Sequence, residues 1–377
     1  MSAAGPIRVL LLAEGLAVAG GVERFVCTLA NHLAGHGMTV AVGTVDTTRA
    51  QLRYPLAPSV RLLNGAAAHA SPQPEGAPTR LVRAWRLARK QWRTGRALAR
   101  LMREEQADVV VLNALTTACS TLPFARRCAR RTICCDHNHF EARSRPWQVL
   151  RRWLYPRVAA VVSLTAADAT KFAALNPRTE VIYNASDLCA DVPAVPDTLR
   201  VLAVGRHVAQ KGFDLLLQAW PEVVRAVPQA RLRIVGDGPL RAQAKRLAAD
   251  LGVADSVEWC DPTPQIEREY REAAVFVLSS RYEGMPLALL EAQALGVPSV
   301  AFACPTGPAE ILADDTGVLV PTFDTAALAQ ALVRLLDDPA LRERMGRAAI
   351  ARSRRYFSAQ AHAARWTALV RRVATRA

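Results

Sequence analysis

The segment from Ser280 to Glu291, Ser-Arg-Tyr-Glu-Gly-Met-Pro-Leu-Ala-Leu-Leu-Glu, places Glu283 and Glu291 on either side of a Gly-Met-Pro turn. The apolar run Val275–Ser279 before it reads as a strand, and Pro286–Leu295 has helical spacing. Ser280 to Met285 is therefore expected as the loop at a strand's carboxyl end, where open α/β sheets bind their ligands. Gly284 allows close backbone approach, and Pro286 suits the first helical position. The backbone of Gly284, Met285, Pro286 and Leu287 is then expected to meet an anion at a helix N-terminus. Glu291 falls on the second turn of that helix, facing the same crevice as Glu283. Two carboxylates beside an anion repel it unless they accept hydrogen bonds from hydroxyls, such as those of a sugar. The plain alternative, two solvated residues at a helix start, accounts for either glutamate alone better than for the whole segment.

A second loop, Val204 to Gly212, follows the strand pattern Arg200–Val204 and precedes an amphipathic helix. Arg206 and Lys211 bracket it and are placed to clamp a diphosphate through charge-assisted hydrogen bonds. A metal ion could do the same, but the chain has no Asp-x-Asp to hold one. In the first half, Gly20-Gly21 follows the first strand by a short loop and opens a helix, where it either makes a tight turn or approaches a phosphate or acceptor closely. The strand Thr132–Cys135 runs into Asp136-His137-Asn138-His139, and its position makes His137 a site candidate. No separate partner cluster turns Asp136, His137 and His139 into a metal site.

Short β-rich runs alternate with longer helical patterns almost throughout. The first series is Arg8–Ala13, Thr39–Val45, Val109–Asn113, Thr132–Cys135, Ala159–Leu164 and Val181–Tyr183. A second series is Arg200–Val204, Arg231–Val235, Val257–Trp259, Val275–Ser279, Ser299–Phe302 and Val318–Val320. Strand, helix, strand in succession predicts α/β architecture with parallel sheets covered on both faces, here as two doubly wound, Rossmann-like domains. The expected N-terminal domain is 1–188, the C-terminal one 198–357, with Asp187–Thr198 between them. A last helix, about Ala359 to Val373 within 358–377, follows both series. Asn64 to Thr79, rich in Ala, Pro and Gly, is expected as a loop.

The 377 residues carry a net charge of +15, and residues 1–190 hold 25 basic against 12 acidic residues, or +13. Residues 191–377 hold 23 against 21, so any polyanion-binding role belongs to the first half. Arg80 to Arg103 reads as a basic amphipathic helix with an apolar stripe through Leu81, Trp85, Ala88, Trp92, Gly95, Ala99 and Met102. Around the stripe stand Arg83, Arg86, Lys90, Arg93 and other basic residues, with no acid before Glu104. Such a helix either packs its stripe on the sheet with its arginines solvated, or meets an anionic membrane or a polyphosphate. The eight cysteines form no Cys-x-x-Cys, and no apolar run approaches the ~20 residues that span a bilayer. A reducing cytoplasm is expected, with no zinc site.

In order and spacing these landmarks resemble the retaining GT-B glycosyltransferases of family 4 over nearly the whole chain. The matching motifs are Gly20-Gly21-Val22-Glu23, Asp136-His137-Asn138, Val162-Ser163-Leu164-Thr165, Val181-Ile182-Tyr183-Asn184, Gly205-Arg206 with Lys211-Gly212, Val235-Gly236-Asp237-Gly238-Pro239 and Glu283 through Glu291. Thr306-Gly307-Pro308-Ala309-Glu310 and Gly317-Val318-Leu319-Val320-Pro321 follow. The resemblance implies two facing Rossmann-like domains with the active site in the cleft, and a last helix crossing back to the first domain. It implies that Arg206 and Lys211 contact the donor diphosphate and that Glu291 holds the ribose. Glu283, with the Gly284–Leu287 backbone, would hold sugar and phosphate; His137 would reach the transferred sugar, and Gly21 the phosphate side. Front-face substitution with retention, no metal and no cofactor beyond the nucleotide-sugar co-substrate are implied as well. Glu-Gly-Met-Pro is similar to bacterial enzymes that extend lipid-linked oligosaccharides or exopolysaccharides, so a UDP-sugar, or else a GDP-sugar, is the expected donor. The expected acceptor is a lipid-linked saccharide or glycan, reached from the cytoplasmic face of a bacterial membrane. Near the nucleotide base the chain departs from the family, with Cys260-Asp261-Pro262 where glycine usually ends the strand.

Three rival readings are weaker. A nucleotide-sugar epimerase of the same fold has no need of a basic membrane-facing helix. A nucleic-acid-binding protein fits the pI near 10.2, but no nucleic-acid motif or aromatic stacking surface is present. A nicotinamide dehydrogenase lacks its Gly-x-Gly-x-x-Gly in the first crossover.

Overall fold

Strands form from short apolar runs, and those in the middle of each sheet are buried at consecutive rather than alternate positions, as strands covered on both faces are. Seven make one parallel sheet: β1 (Arg8–Leu12), β2 (Thr39–Thr44), β3 (Arg61–Asn64), β4 (Val109–Asn113), β5 (Thr132–Asp136), β6 (Ala160–Ser163) and β7 (Thr179–Val181), ordered β3-β2-β1-β4-β5-β6-β7. Six make another: β8 (Arg200–Val204), β9 (Arg231–Val235), β10 (Val257–Cys260), β11 (Val275–Leu278), β12 (Ser299–Phe302) and β13 (Gly317–Val320), ordered β10-β9-β8-β11-β12-β13. Every pairing in both is parallel. This computed structural model describes residues 5–18, 20–65, 80–194, 196–313 and 315–376, apart from the side chains of Arg80, Leu81, Arg83 and Ala84.

The crossovers of the first sheet are α1 (Gly21–Gly35), α2 (Arg80–Glu104), α3 (Leu115–Thr121), α4 (Arg145–Leu154) and α5 (Ala166–Ala173). Those of the second are α6 (Phe213–Ala226), α7 (Arg241–Asp250), α8 (Ile266–Arg271), α9 (Leu287–Ala294) and α10 (Pro308–Ile311). The chain then continues through α11 (Thr325–Asp337), α12 (Pro339–Tyr356) and α13 (Ala359–Ala374). It divides into two compact units, Met1–Ile182 with Ala363–Ala377, and Tyr183–His362. Each has its own core. In the first, Leu10, Leu12, Val110, Leu112, Cys134 and Val161 of the sheet bury against Leu98 and Met102 of α2 and Cys119 of α3. In the second, Trp220 and Leu216 of α6 and Leu332 and Leu335 of α11 cover Val201, Ile234, Val277 and Phe302.

The strand order reverses direction between β1 and β4 in the first unit and between β8 and β11 in the second. Loops at the carboxyl ends of those strands are therefore where each unit can hold a ligand. Both doubly wound sheets were expected from the sequence, with two local corrections. Asn64 ends an edge strand, β3, instead of opening a loop, and the rest of the expected loop, 66–79, lies outside the described residues. The strand expected at Val181–Tyr183 is Thr179–Val181, and the first unit ends at Ile182, before the Asp187–Thr198 stretch.

Candidate functional site

In the second unit, the loops after β8 and β11 are joined by a dense set of contacts. Arg281 makes a two-pronged ion pair with Asp214 (2.8 and 2.7 Å) and donates to the Ala209 carbonyl. Gln210 Nε2 donates to Tyr282 O, and Ser279 Oγ to Lys211 O, at 3.1 and 3.0 Å. Gly212 closes the first loop in the left-handed region (φ +63°), and a Cβ there would sit 2.1 Å from Ser279 O. Only glycine meets both demands.

This framework brings Lys211 and Glu283 together. Lys211 Nζ donates to Glu283 Oε1 at 2.6 Å, and Ser280 Oγ donates to the same oxygen at 2.7 Å. Glu283 is buried, and the stem of Lys211 lies along Gly205, where a Cβ would stand 3.1 Å from it. The backbone of Glu283 exchanges hydrogen bonds with the next loop, its N–H donating to Pro305 O (2.7 Å) and its carbonyl accepting from Thr306 N–H (2.9 Å). Arg206 is exposed at the mouth of the β8 loop and makes no ion pair among the described residues. The next residue, His207, is buried between Phe213 and Trp259.

Two expectations for the Glu283–Glu291 segment change. Pro286 is the residue before the helix, and α9 starts at Leu287. Proline has no N–H, so it cannot donate to an anion; Gly284, Met285 and Leu287 retain that capacity. The Met285 carbonyl is taken by Asn184 Nδ2 at 3.1 Å. Glu291 is only 4% exposed, and the buried Tyr270 hydroxyl donates to its Oε2 at 2.8 Å. Its carboxylate is thus buried, with Oε2 engaged by Tyr270 of α8.

In the first unit, Gly21 is the exposed first residue of α1, and the Glu23 side chain folds back toward Gly20. His137 stands just past β5. Its Nε2 lies 3.3 Å from Asn113 Oδ1, at the end of β4, and Asn113 Nδ2 donates to Leu12 O of β1. The ring meets Phe25 of α1 edge-on at 4.5 Å, and Phe25 meets Trp366 of α13 at 5.8 Å. Desolvation among these groups pushes the His137 imidazole down to about 4, so it is neutral near pH 7.

The neighbouring Asp136 is spent internally. Tyr155 donates to its Oδ1 at 2.5 Å, and Arg151 of α4 faces Oδ2 at 3.5 Å while donating to Phe140 O at 2.7 Å. Burial raises the Asp136 carboxyl, with Tyr155 and Arg151 opposing that rise. Among the described residues, no group of three or more His, Cys, Asp and Glu side chains is arranged to hold a metal.

The basic helix α2 also departs from expectation. Among the described positions of its apolar stripe, Gly95, Ala99 and Met102 toward the C-terminal end are buried, beside the buried Leu98. Trp85, Ala88 and Trp92 are exposed. Arg86 and Arg93 are exposed, while Lys90 pairs with Glu14 at 2.6 Å; the Arg83 side chain lies outside the described residues. Sequence reasoning missed Ser280, Tyr270, Asn113, Asp214 and Arg281. Asn184 lay in a recognised motif without an assigned role; Tyr270, 21 residues before Glu291, has no local signal.

Residues 19–188 match the family described as Glycosyltransferase Family 4, and residues 198–338 match Glycosyl transferases group 1. The amylovoran biosynthesis glycosyltransferase AmsD of Erwinia amylovora is 29% identical over 91% of this chain and 93% of its own length. A GDP-mannose-dependent monoacylated alpha-(1-6)-phosphatidylinositol monomannoside mannosyltransferase of Corynebacterium glutamicum is 29% identical over 68% of this chain and 74% of its own. Among solved structures, sucrose-phosphate synthase of Thermosynechococcus elongatus superposes with a TM-score of 0.81 at 21% identity, over 98% of this chain and 100% of that one. Anabaena HepE in complex with UDP and glucose gives 0.72 at 19% identity, over 96% and 98%. One family match falls on each parallel-sheet unit, and the chain belongs to the family 4 glycosyltransferases of GT-B fold.

Proposed function

We propose that this glycosyltransferase moves a hexose or N-acetylhexosamine from a nucleotide-sugar, with a UDP-sugar favoured, to a lipid-linked saccharide or glycan. It would do so with retention, without a metal, at the cytoplasmic face of a bacterial membrane. The observation that carries this reading is the Lys211–Glu283 pair at the β8/β11 reversal, beside the exposed Arg206 and the N-terminus of α9. Breaking the bond between the anomeric carbon and the phosphate oxygen leaves charge on a diphosphate. Lys211, Arg206 and the N–H groups of Gly284, Met285 and Leu287 would stabilise it as it develops. The acceptor hydroxyl forms the new bond to the anomeric carbon on the face the diphosphate leaves, and its proton passes to the departing phosphate oxygen. Glu283 would accept from sugar hydroxyls, Glu291 from the ribose, and neutral His137 would hydrogen-bond the transferred sugar.

A UDP donor is supported by the Anabaena relative's complex with UDP and glucose, and a saccharide-building role by the name of the Erwinia relative. The GDP-mannose dependence of the Corynebacterium relative keeps GDP-sugars as the second reading. An anionic membrane surface as partner is supported by the basic first half and the exposed Arg86 and Arg93. Thermal-shift titration with UDP-, GDP- and ADP-sugars tests the donor: at a hundredfold excess over Kd a genuine donor stabilises by about 2.7 kcal/mol. The same titration with EDTA should be unchanged. No shift with any nucleotide-sugar overturns the donor reading, and loss of the shift in EDTA overturns metal independence.

A further inference from the structure

Thirteen large hydrophobic side chains are exposed among the described residues, and eight of them lie on α2, on α4 or at Phe124 just after α3. The crossovers from β3 to β4, β4 to β5 and β5 to β6 all advance the same way across the sheet, so right-handed connection puts α2, α3 and α4 on one face. The shared core under α2 and α3 agrees.

On α4 the two sides of the helix are sharply different. Trp147, Arg151 and Leu154, with Tyr155 just after, point inward at helical spacing; Arg151 and Tyr155 are buried and grip Asp136 and Phe140. Arg151 also lies 3.5 Å over the Phe140 ring. The inner side is therefore fixed, and α4 cannot roll to hide its other side. That outer side carries Val149, Leu150 and Trp153, the last 73% exposed, flanked by exposed Arg145 and Arg152. On α2, Trp85 and Trp92 are exposed beneath the guanidinium groups of Arg89 and Arg96, at 5.3 and 4.7 Å. Glu104 at the end of α2 and Glu141 shortly before α4 are already paired with Arg100 and Lys171, and Glu14 with Lys90.

We infer that this face lies on an anionic lipid bilayer, with Val149, Leu150 and Trp153 of α4 entering the headgroup region and the arginines of α2 and α4 meeting lipid phosphates. Tryptophan beside arginine on an apolar stripe suits a surface that is greasy below and negatively charged above. A second copy of the chain would bring like charge onto like charge, which disfavours self-association through the same face. The inference rests on the membrane reading above and names the element that inserts, which the sequence did not single out.

The test is co-sedimentation of the full chain with vesicles of phosphatidylcholine alone or with about a third phosphatidylglycerol. The wild type is compared with Leu150→Ser/Trp153→Ser and with Arg86→Gln/Arg93→Gln. Both altered pairs are exposed, and the nucleotide-sugar thermal shift serves as the control for an intact fold. The expected result is binding only to the anionic vesicles, weakened at least about tenfold by the α4 pair, with the thermal shift unchanged. Equal binding by wild type and the α4 pair, with only the arginine pair weakened, overturns insertion by α4 and leaves the membrane reading standing. No wild-type binding to either vesicle overturns both. Sedimentation showing a wild-type dimer that the α4 pair abolishes, without vesicle binding, assigns the face to self-association instead.

Discussion

Lys211 and Glu283 are each other's partners at 2.6 Å, yet the proposed chemistry asks the lysine to serve a diphosphate and the carboxylate a sugar. Both can hold, because Glu283 keeps Ser280 as a donor and Lys211 has three N–H donors to share. Glu283→Gln preserves shape and removes the charge that offsets Lys211. Transfer should fall by about 10²–10³ in kcat for Lys211→Ala, the scale on which a preorganised cationic donor acts. Glu283→Gln should raise KM for the donor with little change in melting temperature. Steady-state kinetics with the best donor from the screen checks both, and wild-type kcat/KM in either variant removes the pair from the site. His137 makes a prediction about pH. Its folded pKa of about 4 lies below the usual 6.5, so the unfolded chain binds the extra proton first. Stability is then unaffected above pH 6.5 and lost as pH falls from there through about 4, by at most about 3 kcal/mol. Urea melts of wild type and His137→Asn at pH 7 and pH 4.5 should show a smaller acid loss in the variant; equal losses sink the assignment.

The elements show what was legible in the sequence and what was not. Parallel sheets were readable because strands such as β4, apolar throughout 109–112, are separated by helix-length segments. The β8 and β11 loops were found because glycine and paired charges punctuate them at strand ends. Tyr270 behind Glu291 and Asp214 behind Arg281 were not legible, since the pairing of distant chain segments is a property of the sheet order. The outer side of α4 escaped notice for a different reason. The ten residues of α4, three of them arginine and two tryptophan, do not separate an inner from an outer side until burial shows which faces inward. Glycine positions make a sharper element-scale prediction. A Cβ on Gly307 would stand 2.2 Å from Gly284 O, so the α10 loop packs directly on the turn that precedes α9. Both partners are backbone, so Gly307→Ala must displace the Gly284–Leu287 turn. The expected outcome is a donor thermal shift reduced by half or more, with far-ultraviolet circular dichroism unchanged; an undiminished shift means the turn is not part of the donor grip.

At the scale of the whole chain, charge and chemistry are divided between the units. The first 190 residues hold +13 of the net charge, and the first unit also carries the exposed tryptophans. The second unit carries Arg206, Lys211 and Glu283 on loops, and Glu291 on α9, with short polar contacts at Lys211–Glu283 and Tyr270–Glu291. Separate cores let one unit respond to a ligand while the other does not, because local opening free energies belong to contiguous cooperative segments. Nucleotide binding should therefore be read out locally. With saturating UDP, hydrogen exchange followed by mass spectrometry should slow in peptides covering 205–212 and 279–291. Where opening of those loops requires release of UDP, a hundredfold excess over Kd slows it by about two orders of magnitude. Peptides of β4, of β5 and of α4 should exchange as before, since the contacts that hold them, Asn113 to Leu12 and Tyr155 to Asp136, lie wholly within the first unit. Protection concentrated around Gly20–Gly21 and His137, with 205–212 and 279–291 unchanged, would place the nucleotide on the wrong half of the chain. It would also reverse the roles proposed for the two units.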